Sequence, residues 1–108
     1  MNRNAKGMEQ EIVRRIVEAS QPDKVVLFGS RARGDARPDS DYDVLVIKDS
    51  AEPRYRRSVP LYRAPTGLFA NVDLLVYTPT EVKEWEAVLQ AFITTAMREG
   101  KAVYERRG

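Results

Sequence analysis

With 108 residues, 43% of them apolar, the chain has length for one small core and none to spare for a separate acceptor-binding domain. It contains no cysteine and no histidine, which excludes a disulfide framework, a thiolate metal site, the commonest zinc ligand and the commonest neutral-pH base. The net charge is only +2 and no apolar run is long enough to cross a bilayer, so a soluble, cytoplasmic protein with no membrane association is expected.

Residues 1–7 lack periodicity and predict a flexible start to a single domain over 1–108. From Met8 to Ser20, Ile12, Val13, Ile16 and Val17 recur one turn apart among Glu and Arg, which predicts an amphipathic helix ended by Pro22 and Asp23. KVVLFG, residues 24–29, reads as a buried strand closed by a tight turn, and YDVLVI, residues 42–47, as a second strand. The segment between them is short for a crossover helix and has room for one or two helical turns. Residues 49–67 are polar and carry Pro53, Pro60 and Pro65, which predicts a loop with at most a short, proline-interrupted helix. LFANVDLLVY, residues 68–77, is a third strand holding one acid, Asp73. Thr78 as N-cap, Pro79 at the first helical position and Glu81 three residues after the cap form a capping box. The helix that follows carries Val82, Trp85, Val88, Leu89, Phe92, Ile93 and Met97 as core rather than interface, has room for a break at 86–89, and closes at Gly100. KAVYE, residues 101–105, supplies a short last strand. The element order gives an α/β (α+β) domain with a small mixed sheet flanked by helices.

Most of the positive charge is arginine, in Arg14–Arg15, Arg31–Arg37, Arg54–Arg57 and Arg106–Arg107. Arginine forks match phosphate and carboxylate geometry, yet solvated surface is the better reading for every cluster except the one beside Gly29 and Ser30. The low net charge and the lack of interleaved aromatics argue against a nucleic-acid platform.

Asp41 and Asp43 are two apart at the start of a strand, so their side chains leave one face with backbone positions roughly 6.6 Å apart. Two carboxylates so placed repel each other and are costly to desolvate unless something positive lies between them. Asp73 completes a three-carboxylate cluster if its strand pairs beside YDVLVI. Spacing alone leaves two readings open: a divalent-cation site, for which oxygen ligands favour Mg²⁺ or Mn²⁺ over zinc, and a cluster neutralised by arginines. Gly29 after a buried strand admits close approach of a ligand to the backbone, and Ser30 at the start of a helical turn offers a hydroxyl and N–H groups to a phosphate. Arg31 and Arg33 add charge suited to polyphosphate, with Asp35 and Asp39 as competing partners. An anion-binding turn facing a carboxylate cluster is the arrangement that phosphoryl or nucleotidyl transfer requires.

LFGSRARGDARPDSDYDVLVI, residues 27–47, resembles the signature of the DNA polymerase β-like nucleotidyltransferase superfamily, in which Gly-Ser precedes Asp-x-Asp. Ser30, Arg33, Gly34, Ser40, Asp41 and Asp43 appear in the order of that motif. VDLLVYTPTEV and REGKAVYE resemble its minimal nucleotidyltransferase branch, the MntA-like antitoxins, and the likeness covers most of residues 10–105. The resemblance implies ATP or another nucleoside triphosphate as donor. It implies two Mg²⁺ ions (or Mn²⁺) on the catalytic acids Asp41, Asp43 and Asp73, with Asp73 activating the acceptor hydroxyl. By the same kinship the nucleotide-binding residues are Gly29 and Ser30, with Arg31, Arg33 and Ser40 beside them. It further implies a separate helical partner of the HEPN type, whose tyrosine receives AMP. Two alternatives stand beside this reading: a binding module that neutralises its partner by stoichiometric contact, and transfer to a small-molecule acceptor with a helper subunit.

Overall fold

Helix α1 spans Arg3–Ser20 in the computed structural model, which describes residues 3–34, 36, 37, 40–65, 67, 68, 71–85 and 100–106. It begins ahead of the apolar periodicity, at Arg3 rather than Met8: Ala5 and Lys6 are good helix formers, and the exposed Gly7 is tolerated within the helix. The helix ends where Gln21 takes a left-handed φ of 48° and donates its N–H to the Val17 carbonyl, after which buried Pro22 bars another turn. On its outer face Arg14 bonds both Glu11 and Glu18, and the Arg14 guanidinium holds the Glu11 carboxyl below its ordinary range.

The sheet has the order β3-β2-β1-β4, built from β1 (Lys24–Phe28), β2 (Tyr42–Ile47), β3 (Val72–Tyr77) and β4 (Lys101–Glu105). β1 pairs antiparallel with β2 and with β4, while β2 and β3 run parallel. An antiparallel β1–β2 pair needs no crossover, and the single helical turn α2 (Ser30–Arg33) suffices to reverse the chain. The sheet has a helix on each side. Against α1 lie Val25, Leu27, Tyr42, Val44, Val46, Leu74 and Val76, packed on Ile12, Ile16 and Leu61. The opposite face gathers Val26, Leu45 and Ile47 with Phe28, Tyr77 and Val82. Burial on both faces is why β1 and β2 read as continuous apolar runs rather than alternating ones.

Helix α4 covers Pro79–Trp85, with the predicted capping box in place: Thr78 N–H donates to Glu81 Oε1 at 2.8 Å, and Glu81 N–H to Thr78 Oγ1 at 3.1 Å. The remainder of the helix predicted from Thr78, including Val88, Leu89, Phe92, Ile93, Met97 and the break at 86–89, lies outside the described residues. Strand β3 starts at Val72 rather than at residue 68, because Gly67 adopts φ 90° and Leu68 turns back to donate its N–H to the Pro65 carbonyl. Among the described residues no helix is long and apolar enough to cross a membrane.

The segment between β2 and β3 resolves into two short pieces set off by prolines: α3 (Arg54–Arg57), entered through Pro53, and a 3₁₀ turn (Pro60–Arg63). These pieces close the outer edge of β3. The Tyr62 hydroxyl accepts the Leu74 N–H at 3.1 Å, and Arg57 bonds the Val76 carbonyl and pairs with Glu81. The Arg57 side chain is only 9% exposed, so this member of an arginine cluster is a buried pin rather than surface charge. Covering a sheet edge with a side-chain ladder prevents it from pairing with another chain. Tyr62→Phe leaves the Leu74 N–H without its acceptor and is expected to cost about 1 kcal/mol, a fall of roughly 4–8 °C in Tm by calorimetry.

Candidate active site

The residues singled out in the sequence converge at the end of the sheet where β1 leaves and β2 and β3 begin. Phe28 is the register partner of Asp43 across β1–β2, and Asp43 is the partner of Asp73 across β2–β3. Three strands thus place Phe28, Asp43 and Asp73 in one row, on the face away from α1. The two carboxylate-bearing backbones are adjacent at about the 4.8 Å spacing of paired strands. Asp41 stands one residue before β2 and is exposed, as is Asp73, while Asp43 is half-buried.

Gly29 lies directly beyond Phe28 with φ 72° and ψ −154°, a region open in practice only to glycine. A Cβ built on it would fall 2.3 Å from Asp43 Oδ2, so the glycine backbone lies flat against that carboxylate. Ser30 follows as the first residue of α2, and the turn closes on itself through Ala32 N–H to the Gly29 carbonyl at 3.1 Å and Gly34 N–H to the Ser30 carbonyl at 3.0 Å. The strand–glycine–helix step predicted from the sequence is present, and it abuts the central acid of the row.

Arg31 and Ser40 are engaged within the loop. Arg31 donates to the Ser40 carbonyl at 2.8 Å, and its guanidinium lies over the Tyr42 ring, 4.1 Å from the centroid. The Ser40 hydroxyl accepts the Arg37 N–H at 2.8 Å. Alternation along β2 sends buried Tyr42 toward α1 and Asp43 the other way, so Arg31 holds the loop from the side of the strand opposite the carboxylates. Sequence reasoning missed Tyr42 in this role; its signal was an aromatic residue between two acids. Arg33 ends α2, and Asp35 and Asp39, predicted as competing partners of the arginines, lie outside the described residues. Arg31→Ala is expected to cost about 2 kcal/mol through the lost stacking and charged hydrogen bond. A melting curve beside a nucleotide titration separates the roles: a weaker affinity at unchanged Tm would assign the side chain to phosphate instead.

Solved structures share this fold. A Sulfolobus solfataricus protein described as a nucleotidyltransferase superposes with a TM-score of 0.65 at 23% identity, over 93% of this chain and 79% of that one. A toxin–antitoxin crystallised with AMP-PNP gives 0.61 at 21% identity, and a mutant MntA–HpeT toxin–antitoxin 0.59 at 18%, each over 92% of this chain and 74% of the other. Comparison with curated proteins finds no match. The sequence profile described as a nucleotidyltransferase domain matches residues 9–106, and the chain belongs to that family. Membership supports a transferase activity, and the family generally uses divalent metal ions.

The donor chemistry here fits such an ion, since the acids at this corner offer hard oxygen and the chain has no histidine or cysteine to offer instead. The backbones of Asp43 and Asp73 are register partners, and among the described residues no three His, Cys, Asp or Glu side chains form a group that could hold a metal.

Proposed function

We propose that this protein transfers AMP from ATP to a hydroxyl on a partner protein, a tyrosine of a helical HEPN-type toxin, and so acts as its antitoxin. The observation that carries the reading is the row of Asp43 and Asp73 in parallel register with Gly29 packed on the Asp43 carboxylate, in a chain of the nucleotidyltransferase family. Folds shared with a toxin–antitoxin that binds AMP-PNP support both an adenine nucleotide and a protein partner.

In this reading the Gly29–Ser30 turn presents backbone N–H groups to the triphosphate, which only a glycine without a Cβ allows so close to Asp43. The acceptor hydroxyl oxygen forms a bond to the α-phosphorus and the bond to the β-bridging oxygen breaks. Pyrophosphate leaves, and the hydroxyl proton passes to the Asp73 carboxylate. Asp41, Asp43 and Asp73 would hold Mg²⁺, which when bound neutralises charge on the phosphate oxygens. Arg31, through Ser40 and Tyr42, fixes the loop that joins the turn to the acids.

Incubation with ATP labelled at the α-phosphate, Mg²⁺ and the protein encoded by the neighbouring gene should place label on that protein. Absence of label with any nucleoside triphosphate would sink the reading.

A further inference from the structure

Residues 54–64 coil almost continuously as helix. Ser58, Val59 and Ala64 have right-handed helical backbone between and after α3 and the 3₁₀ turn, and Tyr62 N–H reaches both the Ser58 and Val59 carbonyls. Positions 57, 61 and 64 recur at one-turn and two-turn spacing and face inward: Arg57 is pinned to Val76 and Glu81, Leu61 is buried, and Ala64 packs on the core. The same spacing away from these positions gives Tyr55 and Val59, 76% and 64% exposed, and Tyr62, whose hydroxyl is tied to β3 while the residue remains 45% exposed. Of the large apolar side chains exposed among the described residues, only Leu75 lies elsewhere. An exposed apolar stripe with polar flanks marks a contact surface.

We propose that this outward stripe is the docking surface for the acceptor protein, a partner presenting an apolar centre rimmed by aspartate and glutamate; the proposal rests on the transferase reading above. Charge selects that occupant. Arg56 and Arg63 are exposed on either side of Val59, neither enters an ion pair among the described residues, and the sequence holds no acid from Pro53 to Val72. Tyrosine and arginine around an aliphatic centre are the residue types that dominate protein–protein contact energy. Val59 at the centre of the stripe gives no base a ring to stack on, and the net charge of the chain is only +2, so single-stranded RNA is the poorer fit. Position is compatible with this: Tyr62 bonds the backbone of Leu74, so the stripe borders the edge strand that also carries Asp73.

The test compares wild type with two surface variants, Tyr55→Ser/Val59→Ser and Arg56→Glu/Arg63→Glu, after checking that their melting temperatures match. Affinity for the purified product of the neighbouring gene is measured by calorimetry, poly(U) RNA serves as the competing probe, and sedimentation reads self-association. Both variants should bind the protein at least about tenfold more weakly, with poly(U) and self-association absent throughout. Unchanged affinity in both variants overturns the proposal, as does a stripe that holds poly(U) or a second copy in place of that protein, or a wild type that fails to bind it. Label transfer separates the two claims. Transfer at unaltered KM for the acceptor in both variants refutes docking while transferase activity stands. Binding lost in the variants with no label even from wild type refutes transferase activity while docking stands.

Discussion

Gly29→Ala is expected to lower stability and activity together. The backbone there sits at φ 72° and ψ −154°, where a side chain costs about 1–3 kcal/mol of strain, or roughly 4–8 °C of Tm for each kcal/mol. The larger effect is on the acid beside it. The new methyl would stand 2.3 Å from Asp43 Oδ2, and the short aspartate side chain must rotate away, since its Cγ is itself only 3.3 Å from the same point. Moving a catalytic group by about 1 Å costs on the order of a hundredfold in rate. Gly34→Ala is the control: Gly34 also has positive φ, 84°, but nothing lies within 4 Å of its Cβ position, so it should lose stability and keep its rate. Melting curves and label-transfer rates on the two variants check this. Equal loss of rate in both would mean that the turn matters only as backbone.

Asp43→Asn should cut transfer on the order of a thousandfold, the scale on which a charge placed at a phosphoryl group counts. Asparagine keeps the shape of the aspartate side chain and removes its charge, so an inactive variant with an essentially unchanged Tm is the expected result. Loss of activity accompanied by loss of Tm would instead make Asp43 a structural residue. The stoichiometric-antitoxin alternative diverges at the same place, since a variant with Asn at 41, 43 and 73 would still protect cells if contact alone neutralised the partner.

What could be read in advance was mostly local. Runs such as VVLF and VLVI announce strands buried on two faces, and Thr78 with Glu81 announces a cap because both partners lie within one turn. Pairing of Asp73 with Asp43 was conditional on β3 lying beside β2, and parallel register, which no local pattern encodes, decides it. Tertiary partners were illegible. Arg57 and Arg56 look alike in RYRRS, yet one is pinned against Val76 and Glu81 while the other is exposed, because helical rotation turns neighbours about 100° apart. Arg31 reads as a phosphate ligand by position, and nothing short of the folded loop reveals that it also stacks on Tyr42. The start of β3 was misplaced because Leu68 is apolar for packing against the core from a turn, not from a strand.

The most direct measurement follows two labels in parallel, ATP marked at the α-phosphate and ATP marked at the γ-phosphate, with Mg²⁺ and the neighbouring gene's product as acceptor. Nucleotidyl transfer predicts that the α label becomes covalently fixed to the acceptor while the γ label leaves as pyrophosphate. Retention of the γ label on the acceptor, or of neither label, would contradict it.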